Sequence, residues 1–280
     1  MVFIKIQRHT LNVKRRYTMD LKLKDKVVVV TGGGGAIGSA IAKSFAKEGA
    51  KVVVSGRTLS TLEAIVAEIR SEGGRAEAIT CDVSKKESCE EFVNKTVEKM
   101  GALDVLVNNA GINGGPEYRK KIHEYDDGLW DRIMGCDLNG VYYMSKYGIR
   151  QMLKQETKGN IINIASIAGV LPLRLQVGFT AAKAGVINMS KAMAIELADE
   201  GIRVNVICPG SIMFEGTRKL FYANKETADK MMAAIPMHRP GEPEDIGAAT
   251  CFLASDTLAS YITGDVMVIA GGWTSSIRTF

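Results

Sequence analysis

Short apolar runs alternate along the chain with segments of helical periodicity, and this alternation predicts the fold class. The runs are apolar at consecutive positions, which is typical of strands buried on both faces. They lie at Lys26–Thr31, Lys51–Ser55, Ala76–Thr80, Leu103–Val107, Asn160–Ile164, Arg203–Ile207 and Val266–Ile269. Helical spacing predicts helices at Ser39–Glu48, Leu59–Arg70, Cys89–Lys99, Gly128–Gln155 and Gly178–Asp199, with short helices in 216–254. We therefore predict an α/β fold: a doubly wound, seven-stranded parallel sheet in three layers.

The composition favours one globular domain. The chain has 280 residues, of which 46% are hydrophobic and 24% charged, and no Pro- or Ser-rich linker divides it. Residues 1–19 carry five basic side chains and no acidic ones, which leaves the rest of the chain neutral, with 31 of each sign. We predict a basic, disordered extension over 1–19 and one domain over 20–280, with no nucleic-acid partner, because the domain lacks a basic excess. No apolar run approaches the roughly 20 residues of a membrane span, so we expect no membrane partner.

Cysteine and histidine positions argue against a metal site. The five cysteines contain no CxxC pair, and the three histidines lie far apart in the sequence. Such spacing does not suit zinc, and an odd number of scattered cysteines favours free thiols in a reducing compartment. We expect no metal and a cytoplasmic location.

A glycine-rich segment, Thr31–Gly38, lies between the first strand and the first helix. Glycines at this point allow a tight turn and close approach of a diphosphate to backbone amides at the helix N-terminus. A flexible linker would not separate a valine-rich strand from an amphipathic helix. The segment therefore predicts a dinucleotide-binding loop that includes Gly32, Gly35 and Gly38.

The residues after the second strand bear on the choice of dinucleotide. An acidic residue at this point accepts hydrogen bonds from the ribose of NAD, whereas a cation can pair with the 2′-phosphate of NADP. This chain has Arg57 there, nineteen residues after Gly38. Arg57 favours NADP; the alternative is that it is a solvated residue opening the next helix and that NAD is used.

Taken together, the motifs resemble those of the short-chain dehydrogenase/reductase family over about residues 21–273. The motifs are Thr31–Gly38, Cys81-Asp82-Val83, Asn108-Asn109-Ala110-Gly111, Ser166, Lys183 and Pro209-Gly210. The resemblance implies a Rossmann-type fold, an NAD(P)-dependent exchange between an alcohol and a ketone or aldehyde, and a homotetramer built through the helices at 128–155 and 178–199. It implies that Ser166 contacts the substrate oxygen and that Lys183 holds the nicotinamide ribose. It also implies cofactor contacts by Gly32, Gly35, Ile37, Gly38, Asp82, Val83, Asn109, Ala110, Gly111, Pro209, Gly210 and Ile212.

Two positions depart from the family pattern. Phe179 stands where the family has its catalytic tyrosine, four residues before Lys183, and Asp137 stands where it has an asparagine. On a helix, residues 179 and 183 share a face, but phenylalanine has no proton to transfer, and general acid–base catalysis is typically worth about 10²–10⁴-fold in rate. Three interpretations remain open: an active enzyme in which tyrosine was replaced on purpose, a catalytically silent dinucleotide-binding protein, and an enzyme with another proton donor. Asp137 could hold a water chain near Lys183 or simply pair with a nearby cation.

Three loops are expected to form the substrate site. They are Ile112–His123, Val170–Val177 and Met213–Ile235, the last acting as a lid. They contribute Asn113, Glu117, Arg174, Gln176, Phe214, Phe221, Tyr222 and several methionines. Arg174 suggests a carboxylate or phosphate on the substrate, unless it is a solvated loop residue. The ending Gly271-Gly272-Trp273 resembles that of sugar- and polyol-type family members, and we expect a small polar substrate such as a polyol or sugar acid.

Overall fold

Seven parallel strands form one sheet in the order β3-β2-β1-β4-β5-β6-β7. The computed structural model describes residues 19–275, apart from the side chains of Pro116, Leu220 and Phe221. The strands are β1 (Val27–Thr31), β2 (Lys51–Gly56), β3 (Arg75–Thr80), β4 (Val105–Asn108), β5 (Gly159–Ile164), β6 (Ile202–Pro209) and β7 (Val266–Ile269). This confirms the predicted seven-stranded doubly wound sheet. Residues 1–18 of the predicted extension lie outside the described residues.

Helices cover both faces of the sheet. They are α1 (Ala36–Lys47), α2 (Leu59–Ser71), α3 (Lys86–Met100), α4 (Asp127–Ile133), α5 (Gly140–Met152), α6 (Val177–Leu197), α7 (Glu215–Thr217), α8 (Lys225–Ala234) and α9 (Pro243–Ala254). The prediction of one helix over 128–155 is wrong in one respect. A π-helical segment, Met134–Asn139, separates α4 from α5, so the α-helical hydrogen-bonding pattern is interrupted in the middle of the predicted helix.

Alternate residues of β1 supply the two halves of the core. Val28 and Val30 pack on one face with Ile41 and Phe45 of α1. Val29 points to the other face, where the second apolar cluster includes Phe92 of α3 and Met144 of α5. All three valines are completely buried, which explains why the strand is apolar at every position rather than at alternate ones.

Two buried asparagines join the central strands to the helices behind them. Asn108 Nδ2 donates to Asn163 Oδ1 at 2.8 Å and to Ser145 Oγ at 3.0 Å. Asn163 Nδ2 in turn donates to Ser190 Oγ at 2.8 Å. The network ties β4 and β5 to α6, which carries residue 183, and to α5, which directly follows the π-helical segment that carries residue 137.

The sheet order places a topological switch point between β1 and β4, which are neighbours although the chain runs first to β3. In doubly wound sheets, the crevice at the carboxyl ends of the strands beside this point is where ligands bind. The predicted glycine loop follows β1, and the Asn109–Gly111 segment follows β4, so both predicted segments meet at the same crevice.

Candidate active site

The glycine loop is shaped by two close backbone approaches. Gly32 has φ of +63°, and a Cβ there would lie 2.8 Å from the Ala110 Cα. A Cβ on Gly38 would lie 2.6 Å from Asn109 Nδ2 and would overlap the carbonyl group of Gly32. Helix α1 then begins after Gly35 with no capping side chain and no acidic residue in its first turn. Its N-terminal amides and positive dipole end are therefore available to an anion.

A hydrogen-bonded clamp fixes this loop to the end of β4. The Thr31 hydroxyl accepts from the amides of Asn109 and Ala110, both at 3.0 Å. Asn109 Nδ2 donates to the carbonyl oxygens of Thr31 and Gly32, at 2.9 and 3.2 Å. The floor of the crevice is thus held rigid by groups of both strands.

A cavity of about 610 Å³, called here the dinucleotide cavity, opens beside the loop. Seven of the predicted cofactor residues line it: Gly32, Gly35, Arg57, Asp82, Val83, Ala110 and Gly111. Arg57 follows the last residue of β2 and is exposed. Although partial burial opposes it, hydrogen bonds from Ser84 hold the pKa of Asp82 below its ordinary value, so this carboxylate is ionised at neutral pH.

A second cavity of about 360 Å³, called here the reaction cavity, adjoins the first. Both are lined by Gly111 and Ile112, so they form one continuous crevice across the switch point. The predicted catalytic and cofactor-binding residues that line the second cavity are Ile37, Asn109, Gly111, Asp137, Ser166, Phe179, Lys183, Pro209, Gly210 and Ile212. An extended crevice with a bare helix N-terminus along it fits a dinucleotide. Gly38 lines neither cavity; it lies behind the loop, where its lack of a side chain permits the packing.

Ser166, Phe179 and Lys183 reach the reaction cavity from two elements. Ser166 follows β5, and its Oγ accepts from the Ala168 amide at 3.1 Å, which leaves its hydroxyl proton available to another acceptor. Phe179 and Lys183 lie one turn apart on α6, and Lys183 Nζ is 5.6 Å from the centroid of the Phe179 ring. The phenyl ring thus occupies the wall beside the ammonium group but offers it no oxygen.

Lys183 and Asp137 form a buried ion pair. Lys183 Nζ lies 3.1 Å from Asp137 Oδ2, and the side chains are 5% and 0% exposed. Nζ also donates to the Ile164 carbonyl oxygen at 3.2 Å, and Asp137 Oδ1 accepts from the Ile112 amide at 2.7 Å. Burial is the largest influence and raises the pKa of Asp137 above its ordinary value, although the Lys183 charge and the Ile112 amide act in the opposite direction. Of the two possibilities left open for Asp137, direct pairing with a cation is the one observed.

The three predicted substrate loops all contribute to the reaction cavity, but not through every residue named. Asn113 and Gln176 line it and are joined by a hydrogen bond of 3.1 Å, and Phe214 lines it as well. Arg174 and Glu117 are exposed and do not line it. Arg119, Leu173 and Thr217 line it as well, although the sequence did not single them out, and Met231 is one of the lid methionines expected there. Arg119 is partly buried, and burial lowers its pKa. Loops carry no periodicity, so no sequence signal distinguished Arg119 from Arg174.

The described part of the chain, residues 19–275, contains neither a metal-ligand cluster nor a membrane-spanning helix. Within them, no group of three or more His, Cys, Asp or Glu side chains is arranged to hold a metal ion. None of the described helices combines the length and the apolar character needed to cross a bilayer.

Comparisons with known proteins identify related sequences and structures. A family model described as enoyl-(acyl carrier protein) reductase matches residues 34–274. Glucose 1-dehydrogenase 2 of Bacillus subtilis (strain 168) is 36% identical over 256 residues, which are 90% of this chain and 96% of that protein. A solved short-chain type dehydrogenase/reductase from Mycobacterium marinum is 31% identical with a TM-score of 0.85, over 92% of this chain and 98% of the other. A solved gluconate 5-dehydrogenase from Burkholderia cenocepacia J2315, in complex with NADP and tartrate, is 27% identical with a TM-score of 0.86 and the same coverage.

Proposed function

Because the chain belongs to the short-chain dehydrogenase/reductase family of oxidoreductases, we propose that it interconverts an alcohol and a ketone or aldehyde with a nicotinamide dinucleotide, at a rate reduced by Phe179. The observation that carries the proposal is the continuous crevice. Its dinucleotide cavity follows the glycine loop, and its reaction cavity brings Ser166 and Lys183 together. The bound dinucleotide would supply or accept hydride there, while the protein orients the reacting carbon and handles the proton.

NADP is the cofactor we propose over NAD. Arg57 supports this choice, because it lines the dinucleotide cavity at the end of β2 and its guanidinium can pair with a 2′-phosphate. The gluconate 5-dehydrogenase of similar fold was solved with NADP. We propose that the diphosphate is held by Gly32 and Gly35 at the front of α1 and that Asp82 accepts from the adenine.

Phe179 sets the expected level of activity. The fold and the dinucleotide crevice do not need a hydroxyl at this position, so cofactor binding should be unaffected. A tyrosine here would place a phenol beside an ammonium, the arrangement that eases loss of the phenolic proton. Its absence should cost roughly 10²–10⁴-fold in turnover, the usual contribution of general acid–base catalysis.

The proposed substrate is a small polar hydroxy or keto compound such as a polyol or sugar acid. Arg119 places a cationic guanidinium in the lining of the reaction cavity, to which Lys183 and Asp137 contribute as an ion pair. A cation there favours a substrate that carries a carboxylate. Asn113 and Gln176 add amide groups suited to hydroxyls. We therefore propose for Arg119 the role that the sequence suggested for Arg174.

The test restores the hydroxyl with Phe179→Tyr and measures NADPH oxidation against sugars, ketones and keto acids, and NADP reduction against the matching alcohols. We expect turnover to rise by about 10²-fold or more. Phe214→Tyr is the matched control, since it adds a hydroxyl to another wall of the same cavity and should give no gain. Isothermal titration with NADPH should give similar affinities for both chains.

The silent dinucleotide-binding protein is the second candidate, and Phe179 is the observation in its favour. It predicts tight NADPH binding with no turnover of any substrate in either the native chain or the Phe179→Tyr variant. Absence of NADPH and NADH binding would reject both candidates.

We also propose a cytoplasmic homotetramer. Tyr142 on α5 and Ile195 on α6 support the assembly, because they are 46% and 81% exposed although apolar or aromatic. Buried free cysteines suit a reducing compartment. Light scattering after gel filtration should report about four times the 30.3 kDa chain mass.

A further inference from the structure

Both departures from the family pattern lie against the same atom. Asp137 Oδ2 is 3.1 Å from Lys183 Nζ, and the Phe179 ring centroid is 5.6 Å from it. One change removes a proton-carrying phenol from beside the ammonium, and the other places a carboxylate group beside it. The two changes together alter what Lys183 can do.

The surroundings of Nζ leave it both held and accessible. An ammonium has three N–H bonds, of which one is donated to the Ile164 carbonyl oxygen. Asp137 is anchored in turn by the Ile112 amide, so the carboxylate cannot swing away. Lys183 nevertheless lines the reaction cavity together with Ser166 and Phe179. An amine at this position therefore faces the space where the reacting oxygen would lie.

We propose that Lys183 is itself the proton acceptor and donor for the reacting oxygen, and that Asp137 is the positioning residue that stabilises the ammonium when the proton arrives. The arrangement is analogous to a carboxylate that orients a histidine base and stabilises the imidazolium. Buried lysines serve as general bases elsewhere. The inference rests on the proposed oxidoreductase function and names the group that replaces the missing tyrosine.

The proton and electron balance is simple in the direction of alcohol oxidation. Before the step, the Lys183 ammonium releases one proton to water and so gains a lone pair. The alcohol O–H bond then breaks, and its proton forms an N–H bond with that lone pair. The oxygen electron pair becomes the second bond of the carbonyl as hydride leaves the carbon for the oxidised nicotinamide dinucleotide. The substrate loses two electrons and the dinucleotide gains them. Lys183 later releases the proton to water, and reduction runs through the same steps in reverse.

The test is a double-mutant cycle between Asp137→Asn and Phe179→Tyr, with kcat and KM measured for alcohol oxidation. In the native background, Asp137→Asn should lower kcat about tenfold or more and leave KM nearly unchanged, because the ammonium formed by proton transfer loses its partner charge. In the Phe179→Tyr background, the same substitution should leave kcat unchanged or raise it. In that background the introduced phenol exchanges the proton with the substrate, and a Lys183 charge without a neighbouring carboxylate favours ionisation of the phenol. The control is Asp199→Asn, on an exposed site after α6.

The outcomes separate the two proposals. An equal fall in kcat in both backgrounds would mean that Asp137 only supports the fold, and would overturn the inference while the oxidoreductase function stands. Turnover by Phe179→Tyr but none by the native chain would also overturn the inference alone. Cofactor binding without turnover by any of the chains would remove the oxidoreductase proposal together with the inference.

A second readout needs neither cofactor nor turnover. Trace acetylation of the cofactor-free protein, followed by peptide mass spectrometry, measures how reactive the Lys183 amine is relative to exposed Lys191 on the same helix. Removing the carboxylate in Asp137→Asn should raise the Lys183 rate about threefold or more, because an ion-paired ammonium is a poor nucleophile. An unchanged ratio of the Lys183 and Lys191 acetylation rates would contradict the proposal that Asp137 stabilises the protonated form of Lys183. Thermal unfolding of each variant shows that the compared chains are folded.

Discussion

An added methyl group should lower protein stability at one glycine of the loop and cofactor affinity at another. In Gly38→Ala, the Cβ would lie 2.6 Å from Asn109 Nδ2 and 2.9 Å from the Gly32 carbonyl carbon, far inside normal contact. In Gly35→Ala, the nearest atom within the protein is the Gly32 carbonyl oxygen at 3.4 Å, an ordinary contact, and Gly35 has φ of −84°, which alanine adopts freely. The first variant therefore tests packing, and the second tests the ligand.

The magnitudes follow from these distances. Overpacking of the Gly38 kind costs about 1–3 kcal/mol, and each kcal/mol lowers the melting temperature of a domain of this size by about 2–4 °C. Gly35→Ala loses only a helix-cap preference of about 0.5–1 kcal/mol. If the diphosphate lies against Gly35, however, the methyl group should weaken NADPH binding about tenfold, or about 1.4 kcal/mol.

Thermal unfolding with and without NADPH measures both effects. At a ligand concentration 100 times the native Kd, the native chain gains about 2.7 kcal/mol, whereas a chain that binds tenfold more weakly gains about 1.4 kcal/mol. Titration calorimetry gives the affinities directly. Native affinity in Gly35→Ala would refute the placement of the diphosphate at this loop.

Three further substitutions examine the cofactor preference, the substrate and the core. Arg57→Met should weaken NADPH binding about tenfold and leave NADH binding unchanged in the same titration, since only NADPH has the 2′-phosphate; equal losses would argue against the pairing. Arg119→Met should raise KM for carboxylate-bearing substrates about tenfold but not for neutral polyols, whereas Arg174→Met should change neither; the reverse ranking would return the role to Arg174. Asn163→Ala should lower the free energy of unfolding in urea by about 1–3 kcal/mol, because a buried Asn108 amide hydrogen loses its acceptor; a change near zero would show that water replaces the bond.

The sheet could be predicted from the sequence because buried parallel strands leave a clear trace. Val27–Thr31 is apolar without alternation, and the structure shows why, since the sheet is covered on both faces. Most strand limits differed from the predicted ones by one or two residues. The glycine loop could also be predicted from the sequence, because a turn that passes so close to a neighbouring strand has no space for a side chain at Gly38.

The interior of the site was less predictable, and for identifiable reasons. A search for apolar residues at helical spacing does not detect a residue added within a helix, so the change of winding at Met134–Asn139 went unseen. The direct contact of Asp137 with Lys183 depends on side-chain geometry across two helices, which no local pattern encodes. Arg119 and Arg174 look alike in sequence, and only the course of their loops decides which one faces the cavity.

The π-helical segment between α4 and α5 has a consequence for how this site could change over time. An extra residue within a helix rotates the side chains that follow it about the helix axis. The inward orientation of Asp137 therefore depends on the number of residues in the π-helical segment as well as on the residue type at position 137. Exchanges of side chain at Met134 or Gly135 should be tolerated fairly well. Deletion of a single residue from Met134–Asn139 should convert the segment into an ordinary α-helix and turn the Asp137 carboxylate away from Lys183. Substitution at position 137 can thus change the group that contacts Lys183, whereas insertion or deletion of a residue in this segment would remove the contact.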